Sequence, residues 1–316
     1  MISKSKTFHK YFGNRLSVIV CTLGRYEELQ HCLEALNPSV QTNAAIFEIL
    51  VVDQNPRERR QLLKFPYVKQ IFQDELGLSV ARNLGIAEAA YDLIAFLDDD
   101  AVPCAEWVRQ VISTFAQDTQ QKYLALGGRV DPDWRHGQRP SWMNADLEKY
   151  LSCINWSESP RVITATEYIV GANMIFRRRV FDEFGFFDPS LGRKGDAGLL
   201  SNEEISLISK IGHDRIIYNP YAQAYHIIQP PRFHQQWFRK RVYWQAISDL
   251  LANSVWMSTK NAADVIAEFI LSCPAELRTL RAFYTDFHDE IMMGRQMKAI
   301  YAYTVLGAQG FPSSLE

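Results

Sequence analysis

The chain has 316 residues, a net charge of −2 and 22% charged residues, as expected for a globular protein with one large domain and an extension, or with two ordinary domains. The near-neutral charge argues against nucleic acid as a partner. Its five cysteines are scattered without a C-x-x-C pair, which argues against a disulfide framework or a zinc site and favours a reducing compartment. We find neither the roughly 20 consecutive apolar residues that span a bilayer nor a signal-peptide core in the basic arm, residues 1–14. We therefore expect a cytoplasmic protein, with peripheral contact at the inner face of the membrane left open.

The first hundred residues alternate apolar runs with helical patterns. Four apolar runs predict buried strands: 15–22, 47–53, 68–72 and 92–100. Apolar residues at helical spacing predict three helices: 25–36, 77–90 and 105–115. This alternation predicts an α/β domain, a mostly parallel sheet with helices on both faces.

Beyond residue 120 the pattern becomes less regular. Further strands are predicted at 123–132, at 168–178 and, as one or two strands, within 215–228. A glycine-rich loop, 188–201, leads to a short helix that Asn202 is predicted to cap. Residues from 233 to about 308 look helical. We therefore divide the chain into the arm, a catalytic domain over 15–230 and a C-terminal helical region over 231–316.

Three predicted strands end on polar residues. Thr22 ends the first, Asp53 ends the second, and Asp98, Asp99 and Asp100 end the fourth. Ligands of parallel sheets bind beyond the carboxyl ends of the strands. Carboxylates within about 4 Å of one another repel and need a cation to stay ionised. Oxygen ligands at this density suit Mg²⁺ or Mn²⁺, and such an ion keeps positions free for a diphosphate.

Six short motifs carry a resemblance to a known family. They are "VIVCTLGR", "ILVVDQNP", "GLSVARNLGI", "FLDDDAVP", "GANMIFRR" and "NEEISL". In this order and spacing they resemble the motifs of the family 2 inverting glycosyltransferases, which have the Rossmann-like GT-A fold. The acidic D-x-D triplet alone is a weak signal, whereas the ordered set is a strong one. The resemblance implies transfer of a sugar, with a UDP-sugar favoured as donor, to a glycan or lipid-linked acceptor in polysaccharide biosynthesis.

The resemblance also implies roles for individual residues. Asp100 and Asp98 would bind a Mn²⁺ or Mg²⁺ ion, and His226 either completes that site or is a histidine satisfied at a strand end. Asn173, in the small-residue stretch 171–173, either lines the donor sugar pocket or serves close strand packing. The residues expected to contact the nucleotide-sugar are Thr22, Arg25, Asp53, Gly77, Arg82, Asp98 and Asp99.

The acid pair Glu203–Glu204 occupies the place of the family's catalytic base. An inverting transfer needs one carboxylate to accept the proton of the attacking hydroxyl. Alignment favours Glu204, but a glutamate is one methylene longer than the usual aspartate, so either member could reach the acceptor. A purely structural alternative also stays open, because first-turn acids are favoured by the helix dipole.

Several segments have two interpretations. The loop 188–201 either closes over bound donor or is a plain connection. The basic and aromatic stretch 232–245 either packs a helix onto the catalytic domain, with its arginines binding the diphosphate or acceptor, or contacts a membrane surface, and packing is favoured. Residues 262–308 could form a helical cap, a dimer contact or an anchor, and the oligomeric state stays unknown.

Two other functions compete with the transferase. A nucleotidyltransferase would need a glycine-rich basic loop near the N-terminus, and "CTLGRYEEL" has one glycine and one arginine. A catalytically silent sugar-nucleotide-binding protein could lose the acid pair or the acidic triplet, and this chain keeps both.

Overall fold

The computed structural model describes residues 15–41, 47–193 and 198–309, so the basic arm lies outside the described residues. The described residues contain nine strands: β1 Leu16–Thr22, β2 Phe47–Asp53, β3 Val68–Phe72, β4 Leu93–Asp98, β5 Ala101–Pro103, β6 Ala125–Asp133, β7 Arg161–Val162, β8 Asn173–Arg177 and β9 Ile216–Ile227. The same residues contain nine α-helices: α1 Tyr26–Ala35, α2 Leu78–Glu88, α3 Trp107–Gln117, α4 Ala145–Glu148, α5 Arg179–Phe184, α6 Glu203–Ile211, α7 Gln235–Leu251, α8 Thr259–Ser272 and α9 Glu290–Gln309.

One mixed sheet forms the centre of the molecule. Its strand order is β3-β2-β1-β4-β8-β6-β9-β5, and β7 pairs with β9 off this path. Strands β1, β2, β3, β4, β6 and β9 run in one direction, and β8, β5 and β7 run in the other. The apolar residues of β1 and β4 are fully or almost fully buried, as continuous apolar strands covered by helices require. The predicted α/β class with a mostly parallel sheet is confirmed.

The register of the sheet places the polar strand ends side by side. Thr22 at the end of β1 pairs with Asp53 at the end of β2. On the other side of β1, Cys21 pairs with Asp98 at the end of β4. The expected convergence of the three strand ends therefore follows from the pairing of β1 with both neighbours.

Two short strands, β5 and β7, are not predicted from the sequence. The three-residue β5 runs antiparallel to β9 and pairs Ala101 with His226, and β7 has only two residues. Segments of this length are too short to show a strand periodicity. The predicted strand 168–178 is also too long, because β8 begins only at Asn173. The pairing of β5 with β9 matters for the site, because it brings Asp100 beside His226.

The C-terminal region is helical, and α7 packs onto the catalytic domain. Phe238, Val242 and Ala246 share the buried face of α7, and the Phe238 ring meets Trp142 edge-on at 5.3 Å. Packing was the favoured interpretation of the stretch 232–245, and these contacts agree with it. Within the described residues, no helix combines the length and the apolarity that crossing a membrane requires. All five cysteines lie in described segments, and none is paired.

Gly128 in β6 provides a test of the close packing between β6 and β9. A Cβ at this position would clash with the Ala222 carbonyl oxygen and the Asn173 amide. We expect Gly128→Ala to lower the free energy of unfolding by roughly 1–3 kcal/mol in urea titrations, because backbone cannot move aside cheaply. Gly307→Ala is the control, since nothing lies within 4 Å of that position, and it should be neutral or stabilising by up to about 1 kcal/mol. Equal effects of the two substitutions would contradict this account.

Candidate active site

Arg25 holds two carboxylates of the acidic triplet. Its Nε donates to Asp99 Oδ2 at 3.2 Å, its Nη2 lies 2.5 Å from Asp99 Oδ1, and its Nη1 pairs with Asp100. The Thr22 hydroxyl donates to Asp99 Oδ2 at 2.8 Å. Asp99 and Asp100 are buried, whereas the Asp98 side chain is 27% exposed. The loop after β1 therefore binds directly to the end of β4.

Asp100 has two further partners from the far end of the sheet. His226 Nε2 lies 3.0 Å from Asp100 Oδ1, and Arg232 Nη2 lies 3.6 Å from Asp100 Oδ2. Burial opposes ionisation of this carboxyl, but Arg25, His226 and Arg232 together hold its pKa well below the usual range. Asp100 is therefore an ionised carboxylate at the centre of the cluster.

Asp99 differs from Asp100 in its ionisation. Burial raises the pKa of Asp99 to about 7, against the opposing effect of Arg25, and the negative charge of Asp100 contributes to the rise. The positive groups around the triplet therefore favour ionisation of Asp100 more than of Asp99.

Asp98, Asp100 and His226 form a group that fits a divalent cation. Ligand atoms of the three side chains all lie within 4.8 Å of one another. His226 Nδ1 is 2.5 Å from the Leu151 carbonyl oxygen, and because a carbonyl only accepts, Nδ1 carries the proton. Nε2 faces Asp100, and a neutral imidazole would offer the lone pair of Nε2 to a bound cation. The two carboxylates suit Mn²⁺ or Mg²⁺, and an imidazole ligand favours a transition metal such as Mn²⁺ over Mg²⁺.

The acidic triplet also has arginine partners, which the argument from repulsion between the carboxylates did not include. Arg25, Arg82 and Arg232 each lie within ion-pair distance of at least one triplet carboxylate. Three guanidinium groups thus face three carboxylates. The argument for a cation therefore depends on the geometry of the donor atoms and no longer on unbalanced charge.

Arg82 links the triplet to the acid pair. Its Nη1 donates to Glu203 Oε1 at 2.7 Å, and its Nη2 lies 3.5 Å from Asp98 Oδ1. The guanidinium lies 5.8 Å from the Phe96 ring centroid and 5.5 Å from that of Phe187. Gly171 makes room for it, since a Cβ there would clash with Arg82 Nη2. The glycine of the small-residue stretch therefore accommodates a side chain of the protein itself.

The two members of the acid pair have different surroundings. Glu203 is 4% exposed and is engaged by Arg82. Glu204 lines a cavity, and burial together with the neighbouring charge of Glu203 raises its pKa to about 8, although Arg82 opposes the rise. Among the described residues, Oε2 of each glutamate has no hydrogen-bond partner. Glu204 is thus the member that can meet a ligand.

Asn202 does not cap α6 with its side chain, so that prediction is wrong. The residue has left-handed backbone torsions, with φ of 79°, and makes no side-chain capping bond. Its amide instead donates to Asp249 Oδ1 at 2.6 Å and accepts from Gln245 at 2.9 Å. Tyr301 donates to Asp249 Oδ2 at 2.6 Å. These four residues, the Asp249 network, fix the start of the acid-pair helix to α7 and α9.

A cavity of about 920 Å³ lies between the catalytic domain and the C-terminal helices. Its walls include Tyr150 and Tyr168 from the catalytic domain, Arg241 from α7 and Trp256 from the segment before α8. Glu204 lines the same cavity. This volume is near the upper end of the range for small-molecule sites.

Asp53 and Gly77, two residues expected to contact the nucleotide-sugar, lie at the end of β2 and at the start of α2. Asp53 is fully buried and accepts hydrogen bonds from Tyr26 at 2.6 Å, Asn55 at 2.8 Å and Gln70 at 2.9 Å. Gly77 precedes α2 with φ of 145°, a torsion that side chains other than glycine rarely tolerate. Asp53 therefore shapes this edge through partners within the chain.

Asn173 lies at the start of β8, beside the end of β4. Its Oδ1 accepts from the Trp107 indole at 2.9 Å, and its Nδ2 donates to the carbonyl oxygens of Ala222 at 2.7 Å and Arg129 at 3.2 Å. Because these bonds occupy the amide, the side chain joins α3, β6 and β9. Close strand packing, one of the two interpretations of this stretch, matches these contacts.

Comparison with known proteins identifies the family. The model of "Glycosyl transferase family 2" matches residues 17–185, just over half of the chain. The chain belongs to glycosyl transferase family 2. It is a glycosyltransferase, and the family predicted from the six motifs is confirmed.

Named relatives agree with the family model. A glucosyl-dolichyl phosphate glucuronosyltransferase of Haloferax volcanii is 29% identical over 252 residues, which cover 74% of this chain and 76% of the relative. Glycosyltransferase AglE of the same organism is 26% identical over 188 residues, covering 57% of this chain and 58% of the relative. The solved mannosyltransferase PcManGT of Pyrobaculum calidifontis, in complex with GDP-Man and Mn²⁺, has a TM-score of 0.59 at 17% identity. That match covers 95% of this glycosyltransferase and 89% of the mannosyltransferase, and it confirms the GT-A fold.

Several residues of this glycosyltransferase site were not assigned to it from sequence. Arg232 belongs to the basic stretch 232–245, but its pairing with Asp100 was not predicted. No sequence signal pointed to the Asp249 network, because Asp249 and Tyr301 lie in predicted helical stretches far from the six motifs. Trp256 lies within the stretch predicted to be helical, whereas the structure places it between α7 and α8.

The Asp249 network predicts a measurable effect of removing one hydroxyl. Tyr301→Phe deletes the donor to the buried Asp249 carboxylate, and burial is what makes an unsatisfied acceptor costly. We expect a loss of roughly 1.5–3 kcal/mol in the free energy of unfolding, measured by denaturant titration. Tyr303→Phe is the matched control on α9, since Tyr303 is 55% exposed. An equal loss in both variants would show that the hydroxyl bond contributes nothing.

Proposed function

We propose that this glycosyltransferase is metal-dependent and inverting, and that it transfers a sugar from a nucleoside diphosphate, preferably UDP, to an acceptor hydroxyl. The observation that carries the proposal is the joint position of two groups. Asp98, Asp100 and His226 have ligand atoms within 4.8 Å of one another, and Glu204 lines a cavity. Arg82 touches both sides, because it lies between Asp98 and Glu203.

The donor side is assigned to the sheet edge. Asp98, Asp100 and His226 would hold Mn²⁺ or Mg²⁺, which when bound offsets the charge of the leaving nucleoside diphosphate. The mannosyltransferase PcManGT, which shares the fold, was solved with GDP-Man and Mn²⁺, and this supports a nucleotide-sugar donor and a divalent cation. The proposed nucleotide-sugar contacts are those that the family resemblance implies: Thr22, Arg25, Asp53, Gly77, Arg82, Asp98 and Asp99.

Glu204 is assigned as the catalytic base. Its carboxylate accepts the proton of the acceptor hydroxyl while the hydroxyl oxygen attacks the anomeric carbon, on the side opposite the departing diphosphate. The raised pKa makes Glu204 a stronger base than an exposed glutamate. Glu203 is a positioning residue, because its carboxylate is engaged by Arg82.

The acceptor is proposed to be a glycan or a lipid-linked glycan, and the process polysaccharide biosynthesis at the cytoplasmic face of a membrane. The relative from Haloferax volcanii named as a glucosyl-dolichyl phosphate glucuronosyltransferase supports a lipid-linked acceptor. The competing nucleotidyltransferase and silent-binding functions lack a comparable observation, since neither accounts for a basic glutamate in a large cavity.

Asp100→Asn tests the metal assignment. The substitution removes the central carboxylate charge, so the Mn²⁺-dependent part of UDP or GDP binding should disappear in calorimetric titrations. Asp286→Asn is the control, because that carboxylate is 63% exposed and pairs with Arg239, away from the triplet. Nucleotide affinities that respond to Mn²⁺ equally in wild type and Asp100→Asn would disprove the assignment.

Glu204→Gln tests the base. We expect normal donor binding and a transfer rate lower by about 10²-fold or more, because the amide cannot accept the proton. Only the ionised carboxylate is a base, so the wild-type rate should rise with pH up to about 8 and then level off. Glu203→Gln should slow transfer less and shift this pH profile to lower pH, because the charge of Glu203 contributes to the raised pKa of Glu204. A wild-type rate in Glu204→Gln would move the catalytic role to Glu203.

A further inference from the structure

The cavity beside Glu204 is lined by both charged and apolar side chains. Nine of its lining residues carry charge: Asp146, Lys149, Glu204, Arg241, Asp249, Glu268, Glu290, Arg295 and Lys298. Several of these charges pair with one another, as Lys149 does with Asp146 at 2.7 Å and Arg295 with Glu268 at 3.7 Å. A wall of this composition does not suit a bare hydrocarbon chain, because the chain would desolvate these groups without replacing their hydrogen bonds.

Two lining residues of opposite charge keep an unsatisfied atom. Among the described residues, Glu204 Oε2 and Arg241 Nη1 are both buried and lack a hydrogen-bond partner. The other end of the Arg241 guanidinium is anchored, since its Nη2 donates to Gln245 Oε1 at 2.7 Å. Such atoms are costly unless a ligand satisfies them. A hydroxyl group does this best, because it donates to a carboxylate and accepts from a guanidinium.

Trp256 supplies a flat apolar surface at the same cavity. Its ring stacks on Tyr301 at 5.1 Å and 29°, yet the residue is 63% exposed. Tyr301 is held by Asp249, so the indole rests on a fixed support. A pyranose ring has one face of C–H bonds and a rim of hydroxyls. An aromatic ring with an open surface next to hydrogen-bonding groups matches that combination.

We propose that this cavity is the acceptor site and that its ligand is a carbohydrate of at least two sugar units, with one ring stacked on Trp256. The reacting sugar places its hydroxyl between Glu204 and Arg241. The cavity volume of about 920 Å³ exceeds what one sugar ring fills. This inference rests on the proposed function for the identity of the base, but Trp256 and Arg241 are assigned from the cavity itself.

Saturation-transfer difference NMR tests the inference directly. The full chain, with UDP and MnCl₂, is titrated with cellobiose, maltose, lactose, mannobiose and diacetylchitobiose at millimolar concentration. We expect at least one disaccharide to show saturation transfer, with binding roughly tenfold weaker in Trp256→Ala and largely retained in Trp256→Phe. Tyr284→Ala is the control, because Tyr284 is 79% exposed and does not line this cavity. Circular dichroism confirms that each variant is folded.

Comparing a free disaccharide with its octyl glycoside distinguishes a free glycan from a glycolipid as the natural acceptor. The octyl glycoside of the same disaccharide binds more tightly than the free sugar if the natural acceptor is a glycolipid, and equally if it is a free glycan. Both results support the carbohydrate site as long as Trp256→Ala weakens binding. Binding of none of the disaccharides, or equal binding in wild type and Trp256→Ala, overturns the inference.

Calorimetry of UDP and GDP with Mn²⁺ reports separately on the donor. If the protein binds nucleotide with Mn²⁺ but binds no disaccharide, the acceptor inference is wrong and the proposed function is unaffected. If the protein binds a disaccharide through Trp256 but binds no nucleotide, the proposed function is wrong and the carbohydrate site is still supported.

Discussion

The structure depends on balancing carboxylates that are buried at one edge of the sheet. Asp99, Asp100 and Glu203 are each less than 5% exposed, and a buried carboxylate without a partner costs several kcal/mol. The chain supplies the compensating cations from separate places: Arg25 from the loop after β1, Arg82 from α2, and another arginine from the turn after β9. The same ion pairs that neutralise the acids therefore fix the relative positions of the segments around the site.

Arg82 connects the charges of the acidic triplet with those of the acid pair. One guanidinium contacts the triplet through Asp98 and the acid pair through Glu203, so the two halves of the site share a charge. In surroundings that exclude water, such interactions are strong and mutually dependent. A change of charge at Asp98 therefore affects Arg82, which pairs with the residue beside Glu204. The acidic triplet and the acid pair form one electrostatic unit, although their residues come from distant parts of the sequence.

Much of the fold was predictable, because the strands from β1 to β4 are long apolar runs and parallel strands align their ends. Placement of Thr22, Asp53 and Asp98 at the same edge of the sheet followed from that rule, whereas the strand order that makes them neighbours did not. The short β5 was not predictable, since three residues carry no periodic signal. The capping role of Asn202 was predicted wrongly, because local preference gave way to a bond with Asp249. Contacts between segments far apart in sequence decided each of these outcomes.

The attachment of Tyr301 to Asp249 also has a consequence for biosynthesis of the chain. Asn202, next to the acid pair, takes its conformation from a partner that is held by α9, and α9 follows every strand of the sheet in sequence. A nascent chain can therefore assemble its sheet and its acidic triplet before α9 is synthesised. The contact that fixes the start of the acid-pair helix forms only after that.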